Sequence, residues 1–211
     1  MATAECEFDG GSQDYGMESL GYSKLQACLA PQSMIAAVAR SLRQRPHATE
    51  GRVIYGRGDR KACEVFLEYG IDGNDALNRK IREVIGTPAF PLQQGPIIIH
   101  SPEAIASWGM NAAHPTRSGV SIFRTPSSDS DKYTSITLYP ASHHLSTNEF
   151  FGGERAPREL KLWPHEILVV QGALKMEISM PVDGWLVWQG FSELPWGLDP
   201  SSPEAFPFMR I

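Results

Sequence analysis

Residues 167–189 read ILVVQGALKMEISMPVDGWLVWQ, and three strands are written in that run. Ile167 to Val170 is apolar and is followed by Gly172. Leu174 to Met180 alternates strictly, with Leu174, Met176, Ile178 and Met180 on one face and Lys175, Glu177 and Ser179 on the other. Trp185 to Gln189 puts Trp185, Val187 and Gln189 on one face and Leu186 and Trp188 on the other. Alternation of this kind means that one face meets a core and the other meets water or a cavity.

Working outward, the same grammar predicts strands over Pro96 to His100, Gly119 to Arg124, Tyr133 to Tyr139 and Leu160 to Leu162, each short and bounded by Gly, Pro, Ser or Asp. Ahead of them the period changes. Pro31 suits a first helical turn, with Ile35, Val38, Ala39 and Leu42 at helical spacing. A second helix is expected over Lys61 to Tyr69, stopped by Gly70. A third is expected over Asp75 to Ile85, with Asn74 as N-cap and Gly86 as terminator. Six or seven short strands behind a helical third predict a mainly β jelly roll with helices packed on the outside of one sheet. The expected organisation is a tail over 1–16 and one domain over 17–211. Within that domain we expect a helical part about 22–86, a β core about 95–191 and an irregular C-terminal tail 192–211.

Composition excludes several classes. The chain has 211 residues, of which 42% are hydrophobic and 20% charged, so neither disorder nor a coiled coil fits. Nineteen glycines and sixteen prolines favour turns over a helical bundle. A net charge of −5 argues against nucleic acid and anionic membranes as partners. No apolar run reaches a membrane span, and Cys6, Cys28 and Cys63 form no CxxC pair. The expectation is a cytoplasmic protein with reduced thiols and a small-molecule substrate. It leaves a homodimer open.

The common catalytic signatures are missing: no GxGxxG, no Walker loop, no GxSxG and no HExxH. None of His47, His100, His114, His143, His144 and His165 is followed two residues later by Asp or Glu. A cupin-like metal set of His143, His144 and Glu149 is set aside, because adjacent histidines on a strand point to opposite faces.

Two stretches carry a family resemblance. Ile136-Thr-Leu-Tyr-Pro-Ala-Ser-His-His and Glu159-Leu-Lys-Leu-Trp-Pro-His-Glu-Ile-Leu-Val-Val resemble segments of the phytanoyl-CoA dioxygenase-like branch of the non-haem iron, 2-oxoglutarate-dependent oxygenases. Gly21-Tyr22 through Leu29 and Pro31, and Ala76-Leu77 through Ile85-Gly86, are similar to its opening segments. The resemblance implies a double-stranded β-helix whose cavity holds iron through a His-x-Asp/Glu pair and a distant His, with an Arg clamping 2-oxoglutarate. Carried onto this chain, the pair falls on His114 and Thr116, the distant His on Lys175 or Met176, and the Arg on Gly184-Trp185. A neutral hydroxyl, an ammonium, a thioether and an indole do not replace those groups.

The reading that follows is a barrel that kept its cavity and lost its metal: no metal, no cofactor, and an isomerase, cyclase or lyase acting on a small, largely apolar biosynthetic intermediate. His114, Lys175 and Glu177 are the expected acid/base groups. Trp185, Gln189, Thr116, Met176 and His100 are the expected substrate contacts, with Trp185 sharing a pocket with His114 or Thr116. Two other classes stay open. One is a working iron and 2-oxoglutarate oxygenase drawing on His100, His114 and His165; the other is a non-catalytic binding or regulatory protein.

Overall fold

The computed structural model describes residues 20–44, 48–50, 53–71, 81, 92–93, 96–103, 105–112, 119–145, 156–172 and 174–192. Each of the seven expected strands forms. They are β5 (Ile97–Ser101), β7 (Val120–Arg124), β8 (Thr134–Leu138), β9 (Arg158–Leu162), β10 (Glu166–Gln171), β11 (Lys175–Met180) and β12 (Gly184–Ser192). To these the structure adds β1 (Tyr22–Gln26), β2 (Ala48–Glu50), β3 (Val53–Arg57), β4 (Leu92–Gln93) and β6 (Ala106–Ala112). The larger sheet runs β1-β10-β7-β12-β5-β3-β2, with β4 also on β12, and the smaller runs β6-β11-β8-β9. All pairs are antiparallel. From β5 to β12 the chain crosses from sheet to sheet at every step but β8 to β9, which is the winding of a double-stranded β-helix.

Alternation decides what fills the space between the sheets. Met176, Ile178 and Met180 of β11 meet Leu186 and Trp188 of β12, Ile97 and Ile99 of β5 and Phe123 of β7 in one buried cluster. Burying each such side chain stabilises the fold by roughly 1.5–3 kcal/mol. The other face of the large sheet, with Ile98, Ile122, Val169 and Val187, packs under two helices, α1 (Gln32–Gln44) and α2 (Arg60–Glu68). Val38 and Leu42 of α1 and Cys63, Phe66 and Leu67 of α2 supply the covering side chains.

The helices match expectation within a residue or two. Pro31 lies just outside α1, its carbonyl accepting from Met34 and Ile35. Asp59 caps α2 by accepting from the Ala62 N–H at 2.9 Å. Gly70 ends it with φ +69°, and a Cβ there would stand 2.4 Å from that of Cys28, so only glycine fits. The third expected helix lies outside the described residues except Ile81, which is buried.

Two expectations are corrected. The segment 22–86 is not purely helical, because β1, β2 and β3 extend the large sheet within it. β1 reads Tyr-Ser-Lys-Leu-Gln and carries little apolar signal; it forms because β10 offers it an edge, from Tyr22↔Val170 to Gln26↔Glu166. β6 was missed although its sequence ASWGMNA alternates, Ala106, Trp108, Met110 and Ala112 against Ser107, Gly109 and Asn111; it is registered on β11 through an irregularity between Met176 and Ile178. Cys28 is disulfide-bonded, against the expectation of reduced thiols, while Cys63 is free and buried. No helix among the described residues is long and apolar enough to cross a membrane.

One buried charge ties the layers together. Arg124, at the end of β7, is fully buried, and its guanidinium donates to the carbonyls of Phe66 (2.6 Å), Tyr69 (2.8 Å) and Cys28. It also sits 4.9 Å from the centre of the Phe66 ring. Burial lowers its pKa to about 10, which leaves it charged at neutral pH. Arg124→Met would remove the guanidinium donor from three interior carbonyls, leaving Phe66 only the Tyr69 N–H. We expect a loss on the order of 3–5 kcal/mol of unfolding free energy, read from urea denaturation, and a loss below about 1 kcal/mol would refute this role.

Candidate functional site

The barrel has two ends. At one, β6 finishes beside the start of β11, with Ala112 opposite Lys175, and β7 begins at Val120. A 3-10 turn, Ser142–His144, closes this rim, its Ser142 hydroxyl accepting from the Lys175 N–H at 2.8 Å. His143 is 4% exposed and lies against Gly21, where a Cβ would stand 2.4 Å from Nδ1. Gly21 has φ +82°, so both its backbone and its lack of a side chain are used. The His143 and His144 rings are 3.7 Å apart. Opposite-face placement, the reason for setting them aside in the sequence, does not hold in a 3-10 turn.

Among the expected site residues that are described, His100 and Trp185 come together, whereas Lys175, Glu177, Met176 and Gln189 stand elsewhere. Met176 is 1% exposed and part of the core between the sheets. Lys175 and Glu177 take the other face of β11, half-buried on the outside of the smaller sheet. There Glu177 Oε1 accepts a 2.6 Å hydrogen bond from the Tyr139 hydroxyl. Trp185 packs with the helical layer and not between the sheets, because Leu186 and Trp188 take the inward positions. His100 stacks on the Trp185 indole with ring centres 3.8 Å apart, and its Nε2 is 3.0 Å from Asp183 Oδ1. Gln189 is buried, paired in register with Ile122 of the outward cluster, and its Nε2 has no hydrogen-bond partner among the described residues. His114 and Thr116 lie outside the described residues, as does Glu149.

Parity is the physical reason for this scatter. A one-residue step along a strand moves a side chain across the sheet. At the start of β11 the inward residue is Met176 and not Lys175; at the start of β12 it is Leu186 and not Trp185. His100 and His165 stand at the end of the barrel opposite Ala112, His165 in the β9–β10 turn with its ring stacked toward Trp163. Glu166, which follows it, accepts from the Trp163 N–H and pairs with Lys24 at 2.6 Å, so that acid closes a turn. Among the described residues no three His, Cys, Asp or Glu side chains are grouped so as to hold a metal ion. The inward position that begins β11, beside the end of β6, offers a thioether, and the one that begins β12, at the other end, an alkyl chain. Neither side chain is an imidazole, a carboxylate or a guanidinium.

Sequence reasoning missed Tyr139, Asp183 and Arg124. Tyr139 reaches Glu177 only because Thr137 pairs with Glu177 across β8 and β11. Asp183 is identifiable only through its turn conformation, φ +55°.

No protein-family model and no curated protein matches this chain in sequence. Solved structures do match it in fold. The α-ketoglutarate-dependent epimerase SnoN from nogalamycin biosynthesis superposes with a TM-score of 0.59 at 11% identity, over 87% of this chain and 89% of that one. The α-ketoglutarate-dependent carbocyclase SnoK of the same biosynthesis gives 0.57 at 9% identity, over 83% and 79%. HygX from Streptomyces hygroscopicus, with nickel and 2-oxoglutarate bound, gives 0.56 at 12% identity, over 87% and 86%. The chain thus has the fold of the non-haem iron, 2-oxoglutarate-dependent oxygenases.

The Tyr139–Glu177 pair is directly measurable. Its hydrogen bond, with burial second, pushes the Tyr139 phenol up from 10.0 to about 12. The bonded form is the protonated one, so its contribution is complete below about pH 10 and is lost as pH rises toward 12. In an absorbance titration, one of the six tyrosines should ionise last. Glu177→Gln should return it toward the ordinary value; an unchanged titration would show that the pair does not form.

Proposed function

We propose that this protein catalyses a redox-neutral isomerisation or cyclisation of a small, largely apolar biosynthetic intermediate, without iron or 2-oxoglutarate. The observation that carries the reading is the apolar packing of Met176 at the inward start of β11, beside the end of β6. A metal centre there would need imidazole and carboxylate, and a dicarboxylate clamp would need a guanidinium. Fold neighbours that include an epimerase and a carbocyclase support rearrangement of carbon skeletons as chemistry this architecture hosts. Within the fold, the Ser142-His143 turn after β8 favours the phytanoyl-CoA dioxygenase-like branch.

Isomerisation moves a proton from one atom of the substrate to another and leaves its oxidation level unchanged. It therefore needs an acid/base group and a shaped surface, and no oxidant. His114, two residues beyond the end of β6, is our candidate for that group. An imidazole titrates near neutrality and so can both take and return the proton.

The test begins with the metal. Protein purified without chelator should hold no stoichiometric iron. Fe(II) and 2-oxoglutarate together should leave the thermal midpoint unmoved, since a ligand that does not bind the native state cannot stabilise it. One iron per chain, or succinate formed from 2-oxoglutarate on adding Fe(II), would instead establish the oxygenase reading. With a substrate in hand, EDTA should leave turnover intact and His114→Ala should lower it by ~100-fold or more; an undiminished rate would remove His114 from the reaction.

A further inference from the structure

The opposite end of the barrel carries a cavity of its own, about 200 Å³, that the proposed reaction does not use. It opens between the first turn of α1, the β7–β8 loop and the β11–β12 turn, on the outward face of the large sheet. Gln32, Asp129, Lys132, Tyr133, Asp183 and Trp185 supply its walls and its polar groups. Its place follows from the topology: β7 ends at Arg124, β11 ends at Met180 and β12 begins at Gly184, all away from the Ala112–Lys175 rim.

Trp185 is held in place before any ligand arrives. His100 covers one face of its indole, and Asp183 holds His100. The turn beneath is tight, with the Gly184 N–H on the Pro181 carbonyl at 2.9 Å and no room for a Cβ at Gly184, 2.6 Å from that oxygen. A fixed indole needs little ordering on binding.

The polar groups are uncommitted in a particular pattern. Asp183 uses Oδ1 for His100 and Asp129 uses Oδ1 for the Asp131 N–H, and among the described residues neither Oδ2 has a partner. Lys132 makes no ion pair among the described residues. Two half-free carboxylates beside an indole suit an ammonium group, through charge-assisted hydrogen bonds and attraction to the aromatic ring, while the Tyr133 ring is already faced by the Lys161 ammonium at 4.6 Å. Lys132 on the same wall suits a carboxylate and would oppose a simple cation. The geometry points to a binding site for a small zwitterion of amino-acid size, its ammonium between Asp129, Asp183 and Trp185 and its carboxylate on Lys132. This inference is independent of the reading of the reaction.

The probe series is the ω-amino acids from glycine to 6-aminohexanoate, with butylamine and butyrate as single-charge controls. The full chain is labelled with 5-fluorotryptophan, and the Trp185 resonance is assigned by its loss in Trp185→Phe. At least one ω-amino acid should shift that resonance saturably, more tightly than either control. Lys132→Gln and Asp129→Asn should each weaken it by about tenfold, with the remaining tryptophan resonances unmoved as evidence of an intact fold. No saturable shift with any member of the series would overturn the site. Butylamine binding as well as the best zwitterion, or binding indifferent to both substitutions, would overturn the zwitterion assignment.

Discussion

Arg124 is the constraint on which the arrangement of layers depends. A guanidinium with no carboxylate beside it among the described residues is costly to bury, and this one is retained because it answers a matching problem. Helix α2 ends against the sheet, where the Phe66 carbonyl accepts only a 3.3 Å bond from the Tyr69 N–H and the Tyr69 carbonyl lies beyond the helix, and the linker after β1 brings the Cys28 carbonyl to the same point. One fork of N–H donors satisfies all three, and its positive charge complements the negative end of the helix. The Cys28 N–H bonds the Gly70 carbonyl at 3.0 Å, which closes the junction from the other side. β1, α2 and β7 are thereby fixed to each other, and the large sheet acquires a defined outer layer.

With that layer in place, the central strands β7, β10 and β12 of the large sheet are buried on both faces, and side-chain parity assigns their residues to a compartment. The inner compartment took aliphatic and aromatic groups, with Trp188 Nε1 donating to Ser121 Oγ at 2.9 Å to satisfy its one polar atom. The titratable groups fell elsewhere: Lys175 and Glu177 on the outside of the small sheet, His100 and Asp183 at the far end. Fold and chemistry are separable here in a physical sense. The winding of the sheets follows from where apolar faces lie, whereas a metal centre needs three donors aimed at one point.

The two ends of the barrel consequently differ in character. The Ala112–Lys175 rim is built from close backbone approach, with His143 seated on Gly21 and Ser142 bonded to β11. The opposite end is lined by a stacked indole and by carboxylates and an ammonium with capacity to spare. The first can position a histidine within a dry surround; the second can recognise charge.

By itself the sequence determined seven strands, some by their period of two and others as short apolar runs between turn residues, both described helices, the Gly70 stop and the jelly-roll winding with helices outside. These depend on hydrophobic period and on turn chemistry, which are local and carried by the residues themselves. It did not determine β1, which exists because a neighbouring edge was available, nor the burial of Arg124, whose partners are carbonyls with no signature in side-chain identity; β6 alternates in sequence and was legible there. The site was least legible. That Trp185 and Gln189 share a face was readable, but which face looks inward was decided by the packing of Leu186 and Trp188 against β11. The Tyr139–Glu177 and His100–Asp183 pairs arose only when strand register brought residues 38 and 83 positions apart within hydrogen-bonding distance. Period is a property of the chain, whereas register and facing are properties of the assembled sheets.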